Sequence, residues 1–104
     1  MNVLTYTQDV DEFIKALDFP TGAKVVRAVE LLAHYGHLLG MPHSKKVAPH
    51  IFELRTRGQQ EVRIFYCFYG GNAVLLHAFI KKSQTTPAKE WRLASARFLS
   101  LTKT

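Results

Sequence analysis

The chain has 104 residues, 47% of them apolar and 21% charged, a globular balance that speaks against disorder and suits one domain, residues 1–104, with a modest core. No run approaches the ~20 apolar residues of a membrane helix, and the start, MNVLTYTQDVDEF, lacks the basic lead and apolar stretch of a secretory signal. The net charge of +6 is unevenly placed: residues 1–42 hold three Lys/Arg against five acids, and residues 43–104 hold eleven against three.

That asymmetry predicts a polyanion or an acidic protein as partner of the second half, with a merely solvated basic surface as the plain alternative. Cys67 is the only cysteine, so no internal disulfide forms, and a lone thiol in an apolar run fits a cytoplasmic protein.

In chain order, Asn2–Thr7 alternates and is β-prone, which predicts a short first strand. Asp9 or Asp11 is a candidate cap for a helix over Asp11–Leu17, with Val10, Phe13, Ile14 and Leu17 on one side. Pro20 and Thr21 open a second helix, in which Val25, Val26, Val29, Leu32 and Ala33 form one buried stripe. Gly36 and Gly40-Met41-Pro42 end it, and a loop carries His43 and His50.

The period then changes. Ile51–Arg57 alternates, Gly58-Gln59-Gln60 turns the chain, Val62–Tyr69 forms a second strand, Gly70-Gly71-Asn72 signals a hairpin and Ala73–Lys81 forms a third. Thr86 is a candidate cap, with Pro87 at the first position of a last helix that carries Trp91, Ala94, Phe98 and Leu101. The class is α+β: a small antiparallel sheet with a short N-terminal strand, two helices, a three-strand meander and a C-terminal helix. Its helices cover one face of the sheet.

Side chains two apart on a strand share a face. Phe52 and Leu54, then Val62, Ile64, Tyr66 and Phe68, then Val74, Leu76, Ala78 and Ile80 form the apolar set. The opposite face gathers Arg55, Arg57, Arg63 and Lys81, with Phe65 and Phe79 beside them and Lys82 at the strand exit. Like charges held close repel, so the cluster calls for a phosphate chain, which guanidinium forks bind bidentately. Phe79 or Phe65 is then placed to stack on an unpaired base. The alternative is that Glu53 and Glu61 pair with some of the arginines and that the phenylalanines are semi-buried.

The series Phe52-Glu53-Leu54-Arg55, Arg63-Ile64-Phe65-Tyr66, Leu75 to Lys82 and Thr86-Pro87, followed by a helix, resembles the HigB-like, phage-related branch of the RelE/ParE toxin superfamily, from about Asn2 to Leu99. The resemblance implies the toxin of a type II toxin–antitoxin module, a ribosome-dependent mRNA endoribonuclease restrained by a cognate antitoxin, often a helix-turn-helix protein. It implies no membrane partner and no cofactor or metal. Arg63 matches the family's central-strand arginine, Lys81 the basic or imidazole position near the end of the last strand, and Arg55 and Arg57 the basic exit of the preceding strand.

The reaction so implied is attack of an RNA 2′-OH on the adjacent phosphorus. Arg63 stabilises the phosphorane, Arg55 or Arg57 orients the phosphate, and Lys81 serves as base if neighbouring cations lower its pKa. Arg57, Lys82, Phe79, Lys45 and Lys46 form the RNA-binding set. His77 is the other candidate base, against a structural role between Leu76 and Ala78. His34, His37, His43 and His50 lack the company of a metal-binding motif. Trp91 and Phe98 are expected in the core, and Tyr66 on the buried face. The competing functions are a ParE-like gyrase poison and a non-catalytic RNA- or partner-binding module.

Overall fold

The computed structural model describes residues 1–103; Thr104, the last residue of the expected domain, lies outside them. The elements run β1 (Val3–Thr5), α1 (Gln8–Lys15), α2 (Phe19–Tyr35), a single 3-10 turn (Gly36–Leu38), β2 (Ser44–Ala48), β3 (Ile51–Thr56), β4 (Glu61–Tyr69), β5 (Asn72–Lys81) and α3 (Ala88–Thr102). This is the expected α+β order with one strand more.

The sheet is mixed, in the order β1-β5-β4-β3-β2. β2 to β5 pair antiparallel, and β1 lies parallel to β5, with Val3 opposite Ala73. Between β4 and β5 the turn residues Gly70 and Gly71 both have positive φ, 60° and 79°. A two-residue hairpin whose twist matches its strands requires this of both central residues, and glycine adopts it without strain.

The helix ends are set by local chemistry. Thr7, in an extended conformation, precedes α1, which starts earlier than either aspartate cap implied. α2 begins behind Asp18 with proline in its first turn and stops where Gly36 takes φ 55°. Thr86 does not cap α3; Pro87 stands at the cap itself. Within α2, Thr21, Val25, Ala28 and Leu32 are the buried residues, and Val26 is 53% exposed.

The helices lie on both faces of the sheet. α1 and α2 cover one face, where Val10, Val25, Leu32, Leu54, Val62, Ile64, Tyr66 and Leu75 form the main core. On the other face α3 lays Ala94, Trp91, Phe98 and Leu101 over Ile51, Phe65, Cys67, Val74, Leu76 and Phe79. Trp91 and Phe98, expected in the core from their spacing, pack partly buried against this second cluster, and the face expected to be open is closed over part of its length.

β5 departs from strict alternation. Phe65 pairs with His77 and Tyr66 with Leu75, which leaves Leu76 as an unpaired extra residue. Such a bulge puts two successive side chains on one side and resets the parity of the strand. Ala73 and Leu75 therefore face α1 and α2, and Val74 and Leu76 face α3, the reverse of the expected assignment. Beyond the bulge, Ala78 and Ile80 return to the face predicted for them.

The buried Leu76 carbonyl at the bulge finds a side-chain donor. Arg97 of α3 gives one N–H to the Leu76 carbonyl at 2.8 Å and forks onto both oxygens of Asp9 at 3.2 and 3.0 Å. One guanidinium thus ties α3, β5 and α1 together. The Thr7 hydroxyl and then Arg97 hold the Asp9 carboxyl below its ordinary range, against its partial desolvation.

Candidate nucleic-acid interface

α3 covers the sheet face only toward the β4–β5 hairpin. Toward the other end the same strands present charge. Arg55 on β3 stands opposite Arg63 on β4, and Glu61 on β4 stands opposite Lys81 on β5. With Arg57, Lys82, Ser83 and Gln84 these residues bound a cleft of about 580 Å³. The alternation of β3 and β4 therefore delivers the cluster it predicts: Arg55, Arg57, Arg63, Lys81 and Lys82 share one cleft.

Two carboxylates interleave with them. Glu53 Oε1 lies 3.5 Å from Arg55 Nε and 3.6 Å from Arg63 Nε. Arg63 also donates from Nη2 to Glu61 Oε2 at 3.3 Å. The pairing posed as the alternative to a phosphate site is present, and it leaves an open, cationic cleft beside it.

Arg63 is only 2% exposed, and its Nη1 has no hydrogen-bond partner. Burial pushes its pKa down and Glu53 opposes that shift; a guanidinium stays protonated even so. A buried cationic N–H without an acceptor is costly. Glu61, whose side chain is 40% exposed, is the solvent-accessible group next to it.

The remaining site residues divide. Lys45, opposite Glu53, shares the face of the cleft but lies outside its wall. Lys46 pairs with Phe52 and so belongs to the α2 face, away from the cluster. The stretch expected to be a loop around these lysines is strand β2. Phe79 is 5% exposed, packed 5.6 Å from Phe65 and 5.8 Å from His77. It has no free face for a base, because α3 covers the ring that alternation placed in the open.

His77 Nε2 lies 3.3 Å from Glu90 Oε1 on α3, a contact that gives the ring a structural partner. Tyr66 is buried as predicted, its hydroxyl bonded to Ser44, and burial outweighs that bond in raising its pKa. Burial also pushes the Cys67 thiol up to about 11, which leaves it a poor nucleophile at neutral pH. Among the described residues no group of three or more His, Cys, Asp or Glu is placed to hold a metal ion, and no helix is long and apolar enough to cross a membrane.

Sequence reasoning passed over Glu61 as a member of the site, although it stands two residues before Arg63 on the same face. It also passed over Ser83, Gln84 and Arg97, for which no periodic signal exists. A second groove, of about 430 Å³ and largely apolar, runs between α2 and β3 past Ala23, Lys24, Arg27, Leu31 and His43, and shares Arg55 and Arg57 with the cleft.

No curated protein matches the sequence. The family model described as phage-derived protein Gp49-like matches residues 12–99, a span that holds α2, β2 to β5 and most of α3. The chain belongs to the Gp49-like, phage-derived family, a family of toxin-like proteins of toxin–antitoxin systems.

Proposed function

We propose that the protein is the toxin of a type II toxin–antitoxin module and a metal-independent endoribonuclease that cuts mRNA on the ribosome. One observation carries the reading: five cationic side chains converge on a single cleft around one partly exposed carboxylate, Glu61. A solvated basic surface needs no such convergence, whereas a phosphodiester does.

The chemistry divides among these groups. Arg63, braced by Glu53, and Arg55 bind the scissile phosphate and meet the charge of the phosphorane; donors of this kind are each worth ~10²–10³ in rate. Glu61 accepts the proton of the 2′-OH as that oxygen bonds to phosphorus. The bond from phosphorus to the 5′-oxygen breaks, and the ammonium of Lys81, paired across the strands with Glu61, protonates the leaving oxygen. Lys81 is thereby the acid, the reverse of the role its position suggested from sequence. Arg57 and Lys82, both exposed, grip the flanking backbone. RNA phosphate must first displace Glu61 from Arg63, which frees the carboxylate for its task.

A cognate antitoxin, often a helix-turn-helix protein in this superfamily, restrains the toxin by covering the cleft or the groove beside α2. The test is translation of a defined mRNA with 5′-end mapping, using the wild type, Lys81→Ala and Glu61→Gln. We expect discrete cuts that persist in chelator and fade in both variants. Intact message with gyrase-dependent DNA breaks would instead establish a gyrase poison. Intact message and intact DNA, with RNA retained, would establish a binding module.

A further inference from the structure

A smaller recess of about 340 Å³ adjoins the cleft, lined by Val47, Glu53, Phe65, Thr86, Ala88 and Trp91. It lies one residue pair farther along the same pleated face. Glu53 is two positions from Arg55 on β3, Phe65 two from Arg63 on β4, and Thr86 two from Gln84 in the loop after β5. Two strand positions span about 7 Å, so recess and cleft stand side by side as do the base and phosphate of one nucleotide.

The walls differ in kind. The cleft is cationic; the recess is lined by the ring of Trp91 and one carboxylate, with Phe65 only 2% exposed. Phe65 and Trp91 meet edge to face at 5.5 Å. Glu53 is buried, and both arginines approach its one oxygen Oε1, so the carboxylate keeps acceptor capacity for a ligand. A buried carboxylate beside the partly exposed ring of Trp91 asks for a flat ligand with N–H groups on its edge.

We propose that this recess is a base-binding subsite that selects guanine; the proposal rests on the reading of the cleft as a phosphate site. Guanine is the base that sets two neighbouring donors, N1–H and the 2-amino group, against a carboxylate. The amino groups of adenine and cytosine have ring-nitrogen acceptors beside them, which a carboxylate repels. Glu53 thus has two tasks: it braces Arg55 and Arg63 on the phosphate side and reads the base edge on the other.

Trp91 is the only tryptophan of the chain, so its emission reports the recess directly. The full chain is titrated with guanosine 3′,5′-bisphosphate and with its inosine and adenosine counterparts, and pyrophosphate serves as an anion without a base. We expect saturable quenching by the guanosine compound, affinity roughly 10-fold weaker for the other two, and binding of pyrophosphate in competition without quenching. Ala88→Phe, which fills the recess, is expected to abolish the quenching, with its thermal melt checking that it folds.

Equal affinity for the three nucleotides overturns guanine selection. Binding that pyrophosphate displaces but that leaves Trp91 unquenched, or quenching that survives Ala88→Phe, overturns the subsite and leaves the cleft standing. Failure of pyrophosphate and all three nucleotides to bind removes the cleft reading and the subsite with it.

Discussion

The two faces of the sheet come from the same strands and are finished in different ways. On the α1/α2 face the inward positions Leu54, Val62, Ile64 and Leu75 are apolar, and α1 and α2 pack over them. On the α3 face the apolar part stops near Phe65 and Phe79, and the positions beyond it, Arg63, Arg55 and Lys81, are cationic. Leu54 and Arg63 are buried to nearly the same degree, one on each face. Burial by itself therefore does not separate a core from a site. The difference lies in what the buried group still lacks: Leu54 lacks nothing, and Arg63 keeps an N–H without an acceptor.

The sharpest way to break this comparison is kinetic. Glu61→Gln is expected to cut RNA ~10²–10⁴-fold more slowly while binding uncleavable RNA more tightly, because a neutral amide releases Arg63 more easily than a carboxylate does. Single-turnover cleavage alongside anisotropy titration measures the split. Tighter binding with an undiminished rate would leave Glu61 a mere cover over Arg63.

Next comes the matched pair across the sheet. Leu54→Ala is expected to cost about 3 kcal/mol of stability from transfer and cavity effects, with cleavage per folded molecule unchanged. Arg63→Ala is expected to cost about 3 kcal/mol as well, by stripping Glu53 of a buried partner, and to abolish cleavage. Urea melts with activity corrected for folded fraction separate the two.

A smaller effect tests how α3 is fastened. Arg97→Ala removes hydrogen bonds to the Leu76 carbonyl and to Asp9 and is expected to cost about 1–2 kcal/mol in the same melts. The smallest is Asp9→Asn, and it carries a pH signature. The folded-state pKa of Asp9 lies below the ordinary 3.8, so its contribution is present above that value and disappears as the pH falls through the depressed one. Wild type and Asp9→Asn should differ in melting temperature at pH 7 and converge in strong acid.

The parts of the fold legible in sequence were those where one rule acts alone. Alternation in β3 and β4 put Arg55 and Arg63 on one face and Ile64 and Tyr66 on the other, and the structure agrees. Alternation in β5 failed at Leu76, because a bulge follows from the pairing of two strands and leaves no mark of its own in either. β2 escaped notice because Lys45 and Lys46, exposed on an edge strand, read as loop. The burial of Phe79 depended on which face α3 chose, and the stripe of Trp91, Ala94 and Phe98 says that the helix packs without saying where. Glu61 was visible by position and was set aside by type, since an acid among arginines reads first as a neutraliser.

The extra residue in β5 has a consequence for comparing this chain with others. It works as a phase joint: changes on its hairpin side retune the helical core, and changes on its far side retune the cleft. A relative whose strand lacks the joint has its α1/α2-facing and α3-facing positions exchanged on one side of Leu76. An alignment of the two needs a gap of one residue there; otherwise positions that face α1 and α2 are matched to positions on the α3 face through the length of an arm.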